Sequence, residues 1–418
     1  MKLRTLVILI LFPALLEAQQ KKEIALAVAQ DTLLHKKKDS ANVHEVPQID
    51  IYDVAKSIFF KHKSPNKKTD TALTKPVFSA VPAVGYTLTS RLAVTLSGNM
   101  AFRPLADSKA STVTASAAYT QNKQFTIPIE SNIWLDHDLY NLVGDYRLYK
   151  YPQSTFGLGS DSWIGNEDPM DYAYFRFYEL LMRRLVPDLY FGAGYILDYH
   201  WGIVDESGVK NFPKDSVTAY QAYGASNSSL STGFTVNLLY DHRDYSINPS
   251  RGVYANIQYR DNMKVIGSTR GWQSVIIDLR KYYKFPESSH NVLALWSYNW
   301  LVISGHPPFL DLPGTSWDPF SSTGRGYIQG RFRGAQMVYQ EAEYRFGITR
   351  NGLLGAVVFV NAETFSAAEG TPLEKLQPGY GLGARIKLNK ASATNICIDY
   401  GFGTQGSKGL FINIAELF

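Results

Sequence analysis

The chain holds a single cysteine, Cys397, in 418 residues. One thiol excludes an internal disulfide framework and any cysteine-cluster metal site. Long apolar stretches are equally scarce. After the first eighteen residues the longest run is the eight residues from Leu353 to Val360, far short of the roughly 18 apolar residues that a membrane helix requires. Charge of one sign is missing from most of the chain as well. The net charge is +5, but residues 77–418 are close to neutral. The excess sits in residues 19–75, where lysines outnumber acids. A balanced body argues against a nucleic-acid-binding surface.

Residues 1–18 read as a secretory signal peptide. Lys2 and Arg4 precede an apolar stretch from Leu6 to Leu16, and Ala18 supplies a small residue for cleavage. Residues 19–75 form a basic, mostly disordered tail. Its one ordered element is a short helix near 50–60, with Ile51, Val54, Ala55, Ile58 and Phe59 on one face. That face either docks under a larger body or lies on a lipid surface. The lysines of the tail are either a solvated linker or a contact for anionic headgroups.

From about residue 76 to 418 the pattern becomes strands of period two. Val253, Ala255, Ile257 and Tyr259 share one face, and Tyr254, Asn256, Gln258 and Arg260 the other. Tyr380, Leu382, Ala384, Ile386 and Leu388 alternate with Gly379, Gly381, Gly383, Arg385 and Lys387. Ile396, Ile398 and Tyr400 alternate with Asn395, Cys397 and Asp399. Segments of about ten residues, apolar on one face and polar on the other, are what a lipid-embedded barrel wall requires. Aromatics make up 13% of the chain, with 27 Tyr, which suits interfacial girdles. The fold expected is all-β, a 16-stranded antiparallel transmembrane β-barrel. Long connections at 151–171, 201–228, 303–333 and 364–378 fall at one end and short turns at the other. The last strand is expected over 409–418, from Gly409 to an aromatic terminus at Phe418.

Three segments carry a resemblance to a known family. Gly324-Arg325-Gly326-Tyr327 ends a long polar loop just before a strand. Asp241, Arg243 and Asp244, followed by Asn248-Pro249 and Arg251-Gly252, form a turn motif. The run Val357 to Glu363 closes the set. Together these resemble the Omp85 superfamily, the outer-membrane barrels that insert or translocate other proteins. Gly409 to Phe418 is similar to the terminal signal that the barrel-assembly machinery recognises in its clients.

The resemblance implies a location in the outer membrane of a Gram-negative bacterium and a loop arginine clasped in the lumen. It also implies a weak seam between first and last strands. Expected partners are outer-membrane lipids and unfolded outer-membrane protein clients or an accessory protein, with homo-oligomerisation open. The segment before the barrel is shorter than one POTRA domain, which fits a short branch without them. In the family the arginine meets a glutamate, matched by Glu343, and an aspartate that is Asn361 here; the family's glycine is Glu363. Arg325 is therefore expected on Glu343 and Asn361, with Glu341 and Glu363 close by.

No covalent chemistry is expected, and no cofactor or metal. Asp136 with Asp138, and Asp198 with His200, suggest a barrel enzyme, but the first pair falls in a periplasmic turn and the second at the outer end of the seventh strand. Opposite ends of a barrel cannot share a substrate. The competing reading is a passive or partly plugged diffusion pore, since sixteen strands can enclose an aqueous channel.

Overall fold

A computed structural model of the chain describes residues 46–59, 75–87, 91–207, 217–319 and 321–418. Residues 1–45 and 60–74, where the signal peptide and most of the basic tail are expected, lie outside the described residues. One antiparallel sheet carries the body. Its strands are β1 (Val77–Thr87), β2 (Arg91–Phe102), β3 (Ser111–Thr120), β4 (Phe125–Leu135), β5 (Tyr140–Lys150) and β6 (Gln153–Thr155). Then follow β7 (Asp168–Val186), β8 (Leu189–Asp205), β9 (Ser228–Arg243), β10 (Gly252–Asn262), β11 (Trp272–Lys284) and β12 (Val292–Gly305). The set closes with β13 (Gln336–Gly347), β14 (Leu354–Ser366), β15 (Gln377–Asn389), β16 (Thr394–Phe402) and β17 (Lys408–Ile414).

The short β6 is not a separate wall element. Lys150 pairs with Ala173 on β7, and Gln153 pairs with Met170, so one register runs through both segments. Pro152, which has no N–H to donate, interrupts that strand. The wall thus has the sixteen strands expected from the alternation, one of them broken. Each strand pairs with the next around the meander, from β1–β2 to β16–β17. β1 and β17 lie side by side, yet no ladder joins them among the described residues.

The alternation produces an inverted surface. Val358, Val360, Tyr380 and Leu382 point outward and are exposed, while Phe359, Asn361 and Arg385 on the opposite face of the same strands are buried inside. A water-soluble sheet would reverse this; a lipid-facing wall requires it. Leu388, expected outward, is buried. A bulge between Lys387 and Asn389 resets the alternation there. No described helix is long and apolar enough to cross a membrane.

Wall height is uneven. β7 runs 19 residues and β17 only 7, against the roughly 9–11 that a membrane strand needs. The last strand is therefore shorter than the expected 409–418. Ala415 takes a φ of 74°, and the chain turns into the lumen. There Glu416 binds Arg385 Nε at 2.9 Å, and Arg345 donates to the Phe418 carbonyl at 3.1 Å. The Phe418 ring stacks on Trp296 with centroids 5.0 Å apart. Inward cations and a ring platform thus replace the strand pairing that alternation alone suggested.

Segments 306–319 and 321–335 occupy the long-loop end of the lumen. Leu310, Trp317, Tyr327 and Phe332 pack on inward aromatics of the wall, among them Tyr172, Tyr174, Tyr298 and Tyr339. Below them lies a cavity of about 300 Å³ lined by Asn99, Asn141, Asn237, Asn256 and Gln258. At the short-turn end, α1 (Ile51–Phe59) begins with a reciprocal cap. Asp53 N donates to Asp50 Oδ1 at 3.0 Å, and Asp50 N donates to Asp53 Oδ2 at 3.2 Å. Both carboxylates also bind Lys390 in the turn after β15, through its backbone N at 3.1 Å and its Nζ at 2.6 Å.

Candidate functional site

The loop arginine is the centre of the site. Gly324 and Gly326 take φ values of 72° and 114°, a region that side chains with a Cβ rarely enter. They fold the backbone of 324–327 flat against β15 and β16. The wall is cut to receive it: a Cβ on Gly401 would sit 2.6 Å from Gly326 N, and one on Gly403 would sit 2.4 Å from the Tyr327 ring. Tyr327 closes the approach. Its hydroxyl donates to the Pro378 carbonyl at 2.5 Å and accepts from Thr404 N at 3.0 Å.

Arg325 is fully buried. Its Nη1 donates to Asp399 Oδ2 at 2.6 Å, and its Nη2 reaches both Glu341 and Glu343 on β13. The guanidinium lies over the Phe359 ring, 3.7 Å from the centroid. Three carboxylates from two non-adjacent strands therefore hold one cation, while a ring covers its face.

The cluster extends to neighbours. Arg345 Nε binds Glu343 at 2.5 Å, and Arg385 Nη1 binds Asp399 at 2.5 Å. Arg385 also joins Glu416 beyond the last strand. Arg325, Arg345 and Arg385 thus share Glu341, Glu343, Asp399 and Glu416 in one continuous network. Burying so many charges is tolerable only because each has a partner at hydrogen-bonding distance.

Two expected partners play other parts. The Asn361 amide donates to the Arg325 backbone carbonyl at 3.0 Å rather than accepting from the guanidinium. Glu363 takes the Thr315 hydroxyl at 3.1 Å, bracing the start of the loop instead of its arginine. The reason is reach. Glu363 lies nearer the outer end of β14, opposite Tyr339 and beside Thr315. Asn361 stands directly across the ladder from Glu341, so its amide meets the Arg325 backbone and the charged Glu341, Glu343 and Asp399 take the guanidinium. Asp399 was absent from the expected partners, although its inward face was legible from Ile396, Ile398 and Tyr400 opposite.

The turn motif after β9 occupies a different place. Arg243 binds Asp241 in bidentate fashion, at 2.7 and 2.9 Å. Asp244 accepts from Ser250 N and Oγ at 2.9 and 2.5 Å. Gly252 has a φ of 113°, and a Cβ there would meet the His242 carbonyl. This rigid turn, which includes Pro249 and the exposed Arg251, reaches under the barrel. Asn248 donates to the Ala393 carbonyl at 3.3 Å and Ser246 to the Ala110 carbonyl at 3.1 Å. Ile247 joins Ala101 and Ala110 in an apolar cluster on which Val77 and Ala415 pack.

Asp198 and His200 are buried, and Asp136 lies exposed in a turn. Asp198 binds Arg176 and Arg260 and accepts from Tyr174, and the His200 ring stacks on Tyr174. Asp136 and Asp138 flank His137 in the turn between β4 and β5.

An antiparallel meander whose first and last strands lie side by side, greasy outside and charged within, with a long loop held to inward carboxylates by one arginine, defines a loop-plugged β-barrel of the outer-membrane class. Residues 204–410 match the Omp85 superfamily domain, and the fold is consistent with an Omp85-type barrel. Among solved structures, CdiB from Acinetobacter baumannii aligns with a TM-score of 0.51 at 14% identity, over 82% of this chain and 60% of that one. CdiB from Escherichia coli gives 0.50 at 11% identity, over 81% and 62%. BamA from Haemophilus ducreyi lacking POTRA domains 1–3 gives 0.49 at 13%, over 82% and 70%. The chain therefore spans about three fifths of the length of either CdiB chain. No curated protein sequence matches it.

Proposed function

We propose that this chain is an outer-membrane barrel of a Gram-negative bacterium that assists insertion or translocation of other proteins through the seam between β1 and β17. The observation that carries this reading is the absence of a ladder between those two strands among the described residues. β1 offers eleven residues and β17 only seven. Part of the β1 edge therefore faces its neighbour without a backbone partner. An unpaired edge is a template on which an incoming strand can add by main-chain hydrogen bonds. The clasp at Arg325 holds the plug in the lumen and ties β13 to β16, keeping the wall next to the seam rigid while the seam itself stays weak. The clients would be unfolded outer-membrane proteins, with or without an accessory protein.

The test is assembly in liposomes. Purified barrel should speed folding of a urea-unfolded outer-membrane client, read as conversion to its heat-modifiable form. A disulfide engineered across the seam should abolish the effect, and reduction should restore it. No acceleration of any client, or acceleration that survives the cross-link, would sink the reading. Large steady conductance in planar bilayers would favour a passive pore instead; the packed segment 306–335 argues for small conductance.

A further inference from the structure

The outer rim holds a second polar cluster, far from the clasp and unused by the function proposed above. Asp168 opens β7 and Asp205 ends β8, where those tall strands rise past the length a membrane needs. The Asp168 carboxyl lies against that of Asp205 and beside the Thr218 hydroxyl. Asp205 is partly satisfied: its Oδ1 accepts from Ser207 N at 3.0 Å and its Oδ2 from Thr218 Oγ1 at 2.7 Å. Asp168 is not. It is 3% exposed, and neither of its oxygens receives a donor of its own. The Thr218 proton goes to Asp205, and a bond between the two carboxyls needs a shared proton.

A second observation points the same way. Thr155, directly across the ladder from Asp168, is also buried, and its hydroxyl has no partner among the described residues. Three buried oxygen atoms on one face of the β6–β7 ladder therefore lack partners, next to a further carboxylate. No described lysine or arginine forms an ion pair with Asp168. Adjacent carboxylates repel, and buried polar atoms left unpaired are rare. A hard cation would remove both problems, because Ca²⁺ takes oxygen ligands from carboxylates, hydroxyls and water in a flexible shell.

We propose that Asp168, Asp205 and the Thr155 hydroxyl form a divalent-cation site at the outer rim, matched to Ca²⁺ by its all-oxygen donors. Two carboxylates make a weak site, in the range of about 10⁻⁴–10⁻³ M found in extracellular modules. The ion would staple the broken β5–β6 strand and β7 to the outer end of β8. Sequence alone gave no sign of it, since the donors are separated in the chain and include no histidine or cysteine.

The experiment uses the full chain in an uncharged detergent. Thermal unfolding and calorimetric titration are followed with CaCl₂, with MgCl₂ and with EDTA. Ca²⁺ should raise the melting temperature of the wild type and titrate to one site. Asp168→Asn should lose both responses while melting no lower than the wild type in EDTA, because the like-charge contact is gone. Thr155→Val, which keeps the shape, should weaken Ca²⁺ binding without changing the EDTA melt. A wild type indifferent to both cations overturns the site, as does an unchanged Ca²⁺ response in both variants. Stabilisation of the wild type by acid with no cation response would show that the two carboxyls share a proton instead.

Discussion

At the scale of single residues the molecule depends on one arginine. Replacing Arg325 by Ala leaves Glu341, Glu343 and Asp399 short of a counter-charge in a buried site, a change that typically costs about 3–5 kcal/mol. The expected result is a barrel that loses its heat-modifiable form at lower temperature, with segment 306–335 newly open to protease. Arg325→Lys should recover only part of this, since a point charge cannot span carboxylates on β13 and β16 together. A lysine variant equal to wild type would show that charge alone suffices. Gly401→Ala tests the groove rather than the charge: its Cβ would meet the Gly326 backbone, so the loop should undock although every ionic group is present. Much of this was legible beforehand. Period two placed Glu341, Glu343, Asn361 and Asp399 inward, and the glycine-flanked arginine marked the loop. How far the guanidinium reaches along the wall depends on how the loop backbone seats against Gly401 and Gly403. That is a property of two distant segments meeting, and no local pattern contains it.

Elements show the same division. Fifteen of the expected strands were legible as alternation, because a lipid-facing wall leaves little freedom about which face is apolar. The last was misread beyond Ile414. Residues 409–418 alternate well enough to continue, but Glu416 finds two inward arginines, and Phe418 finds Trp296. Tertiary partners outweighed the local pattern. The helix α1 offers a pH test. Burial raises the Asp53 pKa, but the Lys390 hydrogen bond, the Asp50 backbone N–H and the charges of Lys390 and Lys56 outweigh it and hold the carboxyl below its usual range. A carboxylate depressed in the folded state stabilises above its unfolded pKa of about 3.9 and loses that contribution as pH falls through the lower folded value. Amide protection in 51–59 should therefore persist at neutral pH and fade only below about pH 4. In Lys390→Ala the protection should already be reduced at neutral pH. Protection that declines near pH 6 would point to some other group.

For the whole molecule the relevant contrast is between a wall laddered nearly all the way round and the joint between β1 and β17, where the described residues form no ladder. Hydrogen exchange should be faster in β1 than in β8, which is paired along both edges. Uniform protection around the barrel would argue that the joint is sealed. Ile247 gives a further handle. Truncation to Ala removes a buried side chain at a cost of roughly 2–5 kcal/mol, and the added exchange should concentrate in β1 and the residues after β17 rather than in β9 and β10 themselves.

That last expectation follows from where the turn after β9 is rooted. By strand order it springs from the far side of the circle, stretches beneath the lumen, and comes to rest where the two ends of the chain's wall meet. It is placed as a crossbar: under the proposed mechanism, parting the wall on one side would first require unseating a beam anchored on the other. Under the proposed function, a client arriving from below would meet this bar before it met the seam. Pushing it aside and loosening the joint would then be a single mechanical act.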